Sequence, residues 1–322
     1  MNELTESKDI IKLTLPTPFA VGDVNVFLVK GDRLTLIDAG AKTEEAWFLF
    51  QQKLAELGIT PHDIEQVVIT HHHPDHVGLL DYLPDDIEVV GHPRNQPWIS
   101  RDENFFQHHD EFYAALFMQL GVHPAYVNML SQLKKPLRYS CQRSLTNEVT
   151  EGDSISGLAG WAVLETPGHA QSHIALYREN DGFLIGGDLL LATISSNPLI
   201  EPPAIGEKNR SKAQLQYNDS LKKLLQYEIV NVLPGHGEDI TDPHDLIKKR
   251  LAKQEERAYS VRNMLKEKPL TAFEVCERLF PTIFQKQLAL TISETVGQLD
   301  FLEDLGEITI DSTKQQWRYY VD

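Results

Sequence analysis

Thr70-His71-His72-His73-Pro74-Asp75-His76-Val77-Gly78 closes the apolar run from Ile64 and crowds four candidate metal ligands, His71, His73, Asp75 and His76, into one turn. Imidazole and carboxylate are the donors that hold zinc and its neighbours, and ionisable side chains rarely crowd so closely without a cation to offset their desolvation. The run Ile64 to Thr70 reads as a buried strand. On an extended chain His71, His73 and Asp75 fall on alternate positions and point one way, with His72 facing away. Pro74 keeps His73 out of the helical region, and Val77, Leu79, Leu80 and Leu83 predict a helix opening just after it.

Three further segments repeat this grammar. Trp161-Ala162-Val163-Leu164 runs to Thr166-Pro167-Gly168-His169, Phe183-Leu184-Ile185 to Gly186-Gly187-Asp188, and Ile229-Val230-Asn231-Val232-Leu233 to Pro234-Gly235-His236. Each is an apolar strand ending in glycine and one donor. Glycine permits the sharp turn and the close approach of a ligand group. Strand ends in a layered sheet protein share an edge, so these donors can meet there.

The order His-x-His-x-Asp-His, then His, Asp and His, resembles the metallo-β-lactamase superfamily over about residues 15 to 240. The resemblance implies a four-layer αββα sandwich. It also implies one metal on His71, His73 and His169, a second on Asp75, His76 and His236, and Asp188 bridging them. Asp38, in Leu36-Ile37-Asp38-Ala39-Gly40, matches the first family motif and would orient a ligand imidazole. Five histidines and two aspartates in this order make a metal site, where any short motif alone is weak. His72 and His173 read as structural neighbours of the site. His62, His92, His123 and His244 have no supporting pattern, and His108 and His109 fall on a helix whose default is a solvated face.

Two zinc ions (Zn2+) suit such nitrogen and oxygen donors, while iron and manganese accept the same set. Two cations sharing a water lower its pKa from about 15.7 to near 7, so a metal-bridging hydroxide is the expected nucleophile, with Asp75 orienting it and shuttling its proton. Relatives that reduce oxygen carry glutamate where this chain has His73, which argues against that branch; a mono-iron sulfur dioxygenase stays open.

The chain has 322 residues, 41% of them hydrophobic, enough for one large domain and a small one. Two cysteines, Cys141 and Cys276, fit no metal or redox motif and favour a reducing, cytoplasmic compartment. The start Met1 to Asp9 lacks the regions of a secretory signal, and no apolar run is long enough for a membrane span. A net charge of −17 lowers the prospect of a nucleic-acid partner.

Val24 to Val29 and Leu34 to Ile37 fit the first sheet, and residues 43 to 58 a covering helix with Trp47, Phe48, Phe50, Leu54 and Leu57 on its apolar repeat. A helical insertion of about 94–145 follows, rich in Phe105, Phe106, Phe112, Tyr113, Phe117, Met118 and Met129. Its place between metal motifs predicts a lid over the metal edge, lining a pocket for an acyl or aromatic group. Asn197, in Ser195-Ser196-Asn197-Pro198, and Tyr217, at a helix start, are weaker substrate-contact candidates suggested by the resemblance.

Residues 1–240 thus form the catalytic domain and 241–322 a smaller one. Leu246 to Lys268 reads as a helix, Thr271 with Glu274 caps a second, Leu288 to Leu305 gives a third, and two strands end the chain. That order resembles a winged helix, as in the β-lactamase-like proteins that include a mitochondrial single-strand endoribonuclease. Its third helix carries Glu294, Asp300, Glu303 and Asp304 with no cation after Lys286, the wrong charge for phosphates. Docking against the catalytic domain, or a second copy in a homodimer, is the expected use. A small-molecule substrate follows: hydrolysis of a carboxylic ester, thioester or lactone ranks first, in the manner of glyoxalase II, with single-strand endoribonuclease or phosphodiesterase cleavage second and nucleic-acid binding behind.

Overall fold

Val67 and Val68 are neighbours in one strand yet belong to different cores. Val67 packs with Leu36, Phe50 and Leu54, whereas Val68 packs with Phe27, Ile37, Val163 and Leu176. The period of two along a strand sends successive side chains to opposite faces, so this sheet is covered on both. The second sheet behaves alike: Val163 and Ile185 face the first sheet, while Leu164 and Leu184 meet Tyr217, Leu221 and Leu224 on the far side. Helix, sheet, sheet, helix is therefore the layer order, the four-layer sandwich of an α/β fold.

In this computed structural model residues 9–129 and 133–322 are described, the side chains of 127–129 excepted. The polar start 1–8 and the Met129 side chain lie outside them. The first sheet runs β1 (Ile10–Leu15), β2 (Val24–Lys30), β3 (Leu34–Ile37), β4 (Gln66–Ile69), β5 (Glu88–Gly91) and β6 (Asn147–Glu148), in that spatial order. β1 to β3 are antiparallel; β3 to β6 are parallel. The second sheet orders β10 (Asn231–Pro234), β9 (Phe183–Gly187), β8 (Ile174–Arg178) and β7 (Trp161–Glu165), with only β10 and β9 parallel. The ends of β7, β9 and β10 consequently share one edge. Two bonds clamp that edge to the first sheet: Asn25 N–H donates to Gly235 O at 2.7 Å and Ile174 N–H to Thr70 O at 2.9 Å.

Helix α1 (Glu44–Glu56) starts where the Thr43 side chain accepts from Ala46 N–H, with Glu44 and Glu45 favouring its positive end. Ala46, Phe50 and Leu54 form its buried stripe. Phe48 and Leu57, assigned to that stripe from sequence, are instead exposed, at 65% and 41%, because they project off its axis. Helix α2 (Pro74–Val77) is one turn followed by a 3-10 segment (Gly78–Tyr82), shorter than the sequence predicts. The chain at Gly78 passes so near its neighbours that a Cβ there would lie 2.1 Å from Lys42 N.

The insertion contains α3 (Gln96–Ile99) and α4 (Glu103–Gln119), and α5 (Ala213–Leu224) covers the second sheet. Helices α6 (Pro243–Leu265), α7 (Ala272–Leu279) and α8 (Leu288–Asp304) precede a two-stranded ribbon, β11 (Thr309–Asp311) and β12 (Arg318–Tyr320). The capping box of α7 forms as the sequence predicts. Leu116 and Phe117 from α4 and Leu120 just after it join Val261, Phe273, Leu288 and Val296 in one core, so the insertion and the C-terminal segment are packed together. Of the 17 residues of α8, 12 are buried, which leaves little free face for a groove or a phosphate backbone. Three of its four acids are paired instead: Arg210 grips Asp300 at 2.6 and 2.7 Å, Lys212 meets Glu303 at 3.0 Å, and Arg257 meets Glu294 at 2.5 Å.

Candidate metal centre

Asp38 follows β3 with φ of +61°, a left-handed conformation uncommon outside glycine and tolerated when surrounding bonds over-determine it. Three donors hold it. Thr70 N–H and Thr70 Oγ1 reach its two oxygens at 2.7 and 2.8 Å, and His76 Nδ1 donates at 2.7 Å. The cluster read from sequence is thereby tied to the end of the neighbouring strand.

These bonds fix which ring nitrogens are free. Thr70 spends its hydroxyl proton on Asp38, so His71 Nδ1–H, at 3.0 Å, donates to Thr70 Oγ1 and His71 Nε2 keeps its lone pair. His169 Nδ1 faces the Asn197 carbonyl at 3.0 Å and Ser196 Oγ at 2.8 Å, and His236 Nδ1 faces the Asp23 carbonyl at 2.7 Å. A carbonyl only accepts, so both rings spend Nδ1–H there and turn Nε2 toward the site; His169, held below the ordinary range, keeps that Nε2 bare. His73 Nδ1 lies 2.9 Å from the Nε2 of His71 and 2.9 Å from that of His169. Three nitrogens, two of them acceptors only, converge on one point, which is an arrangement a cation satisfies.

A second group lies beside it. Asp75, His76 and His236 bring donor atoms within 4.8 Å of one another, as do His71, His76 and Asp188. Asp188 Oδ1 is 3.4 Å from His76 Nε2, and its Oδ2 is 3.5 Å from His236 Nε2 and 3.6 Å from His169 Nε2, so one carboxylate faces both groups. His236 Nε2 is 3.4 Å from Asp75 Oδ2. His76 Nε2, His236 Nε2 and Asp188 Oδ1 are buried without a hydrogen-bond partner among the described residues. Orphaned polar atoms of this kind are costly, and divalent ions taking the place of protons would pair all three, so the residues present fit two cations. Glycine makes the room: a Cβ on Gly235 would fall 2.3 Å from Asp188 Oδ1, and Gly187, at φ +47°, has His173 Nε2 2.7 Å from where its Cβ would lie.

The electrostatics agree. Burial, then the neighbouring imidazoles, holds His71 and His73 well below the ordinary histidine range. At His76 burial also pulls down, but the Asp188 and Asp38 carboxylates outweigh it and hold the ring well above that range. Asp188 is disfavoured as an anion by burial and yet held well below the ordinary carboxylate range by His236 and His76. Without metal, protons occupy the places a cation would take.

The family model of the metallo-beta-lactamase superfamily matches residues 20–236. The chain belongs to that superfamily. It is 51% identical over 303 residues to the probable metallo-hydrolase YqjP of Bacillus subtilis (strain 168), covering 94% of this chain and 95% of that one. The metallo-beta-lactamase family protein TTHA1429 from Thermus thermophilus superposes with a TM-score of 0.82 at 25% identity, over 98% of this chain and 99% of that one. A hydroxyacylglutathione hydrolase of Idiomarina loihiensis is 28% identical over 167 residues, 50% of this chain and 43% of its own.

In this superfamily member a cavity of about 690 Å³ opens over the metal edge, with His73, Asp75, His169 and Asp188 in its wall. Trp98, Tyr113, Leu116 and Phe117 come from the insertion, Leu191, Asn197 and Ile200 from the stretch after β9, and Leu288, Leu290 and Ile292 from α8. Of the insertion residues singled out above, Tyr113 and Phe117 line the cavity, whereas Met118 is half exposed. Asn197 reaches it too, its Nδ2 donating to Leu290 O at 3.2 Å.

Tyr217 does not. It is buried under the second sheet and its hydroxyl donates to Leu189 O at 3.0 Å, because α5 turns that face toward β8 and β9. His109 departs from its reading as a solvated helix residue: it is buried and lines the cavity. His72 stacks on Trp98 at 4.2 Å and pairs with Ser172 Oγ at 2.9 Å. His173 Nε2 accepts from Asp188 N–H at 3.0 Å, which commits that nitrogen to holding Asp188 in place. Sequence reading missed Arg250, which donates to Leu191 O and Ile194 O at 3.1 and 2.8 Å and so braces the stretch that orients His169; an arginine in a charged helix carries no signal of this.

Proposed function

We propose that this chain is a binuclear metal-dependent hydrolase of carboxylic esters, thioesters or lactones. One ion would sit on His71, His73 and His169, the other on Asp75, His76 and His236, with Asp188 reaching both. Two bound ions of this kind, zinc best suiting the donors, supply Lewis-acid polarisation of a carbonyl and a water acidic enough to attack near neutral pH. The protein supplies the rest. Asp38, Thr70, Asn197 and Asp23 fix the rings of His76, His71, His169 and His236 so that the other nitrogen of each faces the site. The Asp75 carboxylate takes the proton of the attacking water and returns it to the leaving oxygen or sulfur. The cavity wall holds the acyl group and keeps bulk water away.

The observation that carries the acyl reading is the apolar character of a cavity that ends at the metal edge, inside a chain of net charge −17. That combination favours an apolar acyl group over a phosphodiester backbone. A relative over half the chain bears a name for hydrolysing an acylglutathione. We assign residues 1–240 as the catalytic unit and 241–322 as a winged-helix-like unit that closes the pocket. Buried, free cysteines suit a cytoplasmic setting, and among the described residues no helix is long and apolar enough to cross a membrane.

The test is proton release by zinc-loaded protein on a panel of thioesters, lactones and single-stranded RNA, with Asp75→Ala alongside. Turnover of acyl substrates alone, lost in the variant, is expected; turnover of RNA alone refutes the reading.

A further inference from the structure

One buried acid has no part in that chemistry. Glu201 lines the cavity and is only 9% exposed. Its Oε1 accepts Gln171 N–H at 2.8 Å, and this is the one hydrogen bond its carboxylate makes among the described residues. Tyr113 does not serve it, since that hydroxyl donates to the Ile200 carbonyl. Arg94, the cation acting on it from a distance, has its own partner in Glu207 at 3.3 Å.

Most of the acceptor capacity of Glu201 is therefore unspent in a wall of Leu199, Ile200 and Ile292. Holding one backbone N–H needs no carboxyl; a neutral acceptor does it with less desolvation. Burial pushes this carboxyl up to about 7, which is the mark of an acid without a sufficient partner. His109, on the same cavity, commits Nδ1–H to Asp110 at 3.0 Å, which leaves its Nε2 an acceptor. The inner wall thus offers acceptors, while the lysine on the lining, Lys286, is exposed at the rim.

Resting on the acyl-hydrolase reading above, we propose that Glu201 determines specificity: the pocket takes an apolar acyl group carrying a hydrogen-bond donor, a hydroxyl or amide N–H, which the Glu201 carboxylate accepts. An unsubstituted chain leaves the carboxyl buried and unpaired, and a site built to bond a polar group rejects the analogue lacking it far more strongly than an apolar pocket rejects an extra methylene. An anionic chain end meets repulsion.

The test is calorimetric binding of a medium-chain fatty acid and its positional monohydroxy isomers to the zinc-loaded full-length protein. At least one isomer should bind about tenfold or more tighter than the parent acid. Glu201→Leu should abolish that preference and tighten the parent acid, with unchanged zinc content reporting an intact site. Wild-type protein that prefers no hydroxy isomer overturns the proposal, whether or not the variant folds, and so does a preference that survives in Glu201→Leu. A hydroxy preference without turnover of any ester, thioester or lactone supports the donor-reading pocket and refutes the acyl-hydrolase function separately.

Discussion

The metal edge and the cavity wall opposite it are built by different means. Every donor on the edge sits within a few residues of a strand end, placed by β4, β7, β9 or β10 and locked by local bonds such as Thr70 to Asp38. The wall is assembled from the insertion, the stretch after β9 and the start of α8, segments joined by the shared core of Phe117, Ile200, Phe273 and Leu288 and by hydrogen bonds such as Asn197 Nδ2 to Leu290 O. The candidate donors thus hang on strand ends and the turns that follow them, whereas the wall depends on packing between distant segments, where substitution changes shape without touching the ligands.

The largest expected effect falls on the edge. Asp188→Ala should lower turnover by on the order of a thousandfold and reduce bound metal, checked by kinetics and elemental analysis after zinc reloading. A variant with normal metal content would show that Asp188 does not face both ions.

Truncation after residue 240 should strike the wall nearly as hard. Leu116, Phe117 and Leu120 would lose their partners, so the shortened chain is expected to aggregate, read by light scattering. A monomeric, active 1–240 fragment would mean that the wall is dispensable.

Asp38→Ala should weaken metal binding about 10- to 100-fold, the usual loss when a ligand's orienting partner is removed, measured by competition with a chelator. Asp75 faces His236 and takes no bond from Asp38, so turnover at saturating zinc should fall less than affinity.

Acid should separate the edge from the wall in the metal-free protein. His71, His73, His169 and His173 are held below the ordinary 6.5 by burial, His173 down to about 3, so the unfolded chain binds protons more readily than the folded one. Their contribution to stability is present above pH 6.5 and is lost as the pH falls through their depressed values, that of His173 at about 3. His76 and His236 are raised despite burial, chiefly by Asp188; their contribution is full below 6.5 and is lost as pH rises through their higher values. The depressed group is the larger, so denaturant midpoints should drop from pH 7 to pH 5. Midpoints that rise over that interval would contradict the burial of those rings.

The smallest effect is expected at the rim. Leu290 is 40% exposed and lines the cavity, so Leu290→Ala should raise the Michaelis constant of bulky acyl substrates several-fold, with stability changed by about 0.5 kcal/mol or less.

The difference between edge and wall also decides what could be read from the chain. The donors were legible because strand, glycine and ligand stand in sequence, as in Ile185-Gly186-Gly187-Asp188. The layer order was legible from strand periodicity and family resemblance. The lining was not: Leu288 and Ile292 look like any amphipathic helix start, and nothing local says that α8 packs against α4. Tyr217 was misread for the same reason, since a helix start does not reveal which face the sheet will cover. Glu201 and His109 carry no motif; only their burial beside the cavity sets them apart.

A zinc titration of the metal-free protein, with thioester turnover followed against ions bound per chain, bears on the edge as a whole. Two groups sharing Asp188 predict activity that rises steeply only as the second ion loads. Full turnover with the first ion alone, or without metal, would contradict it.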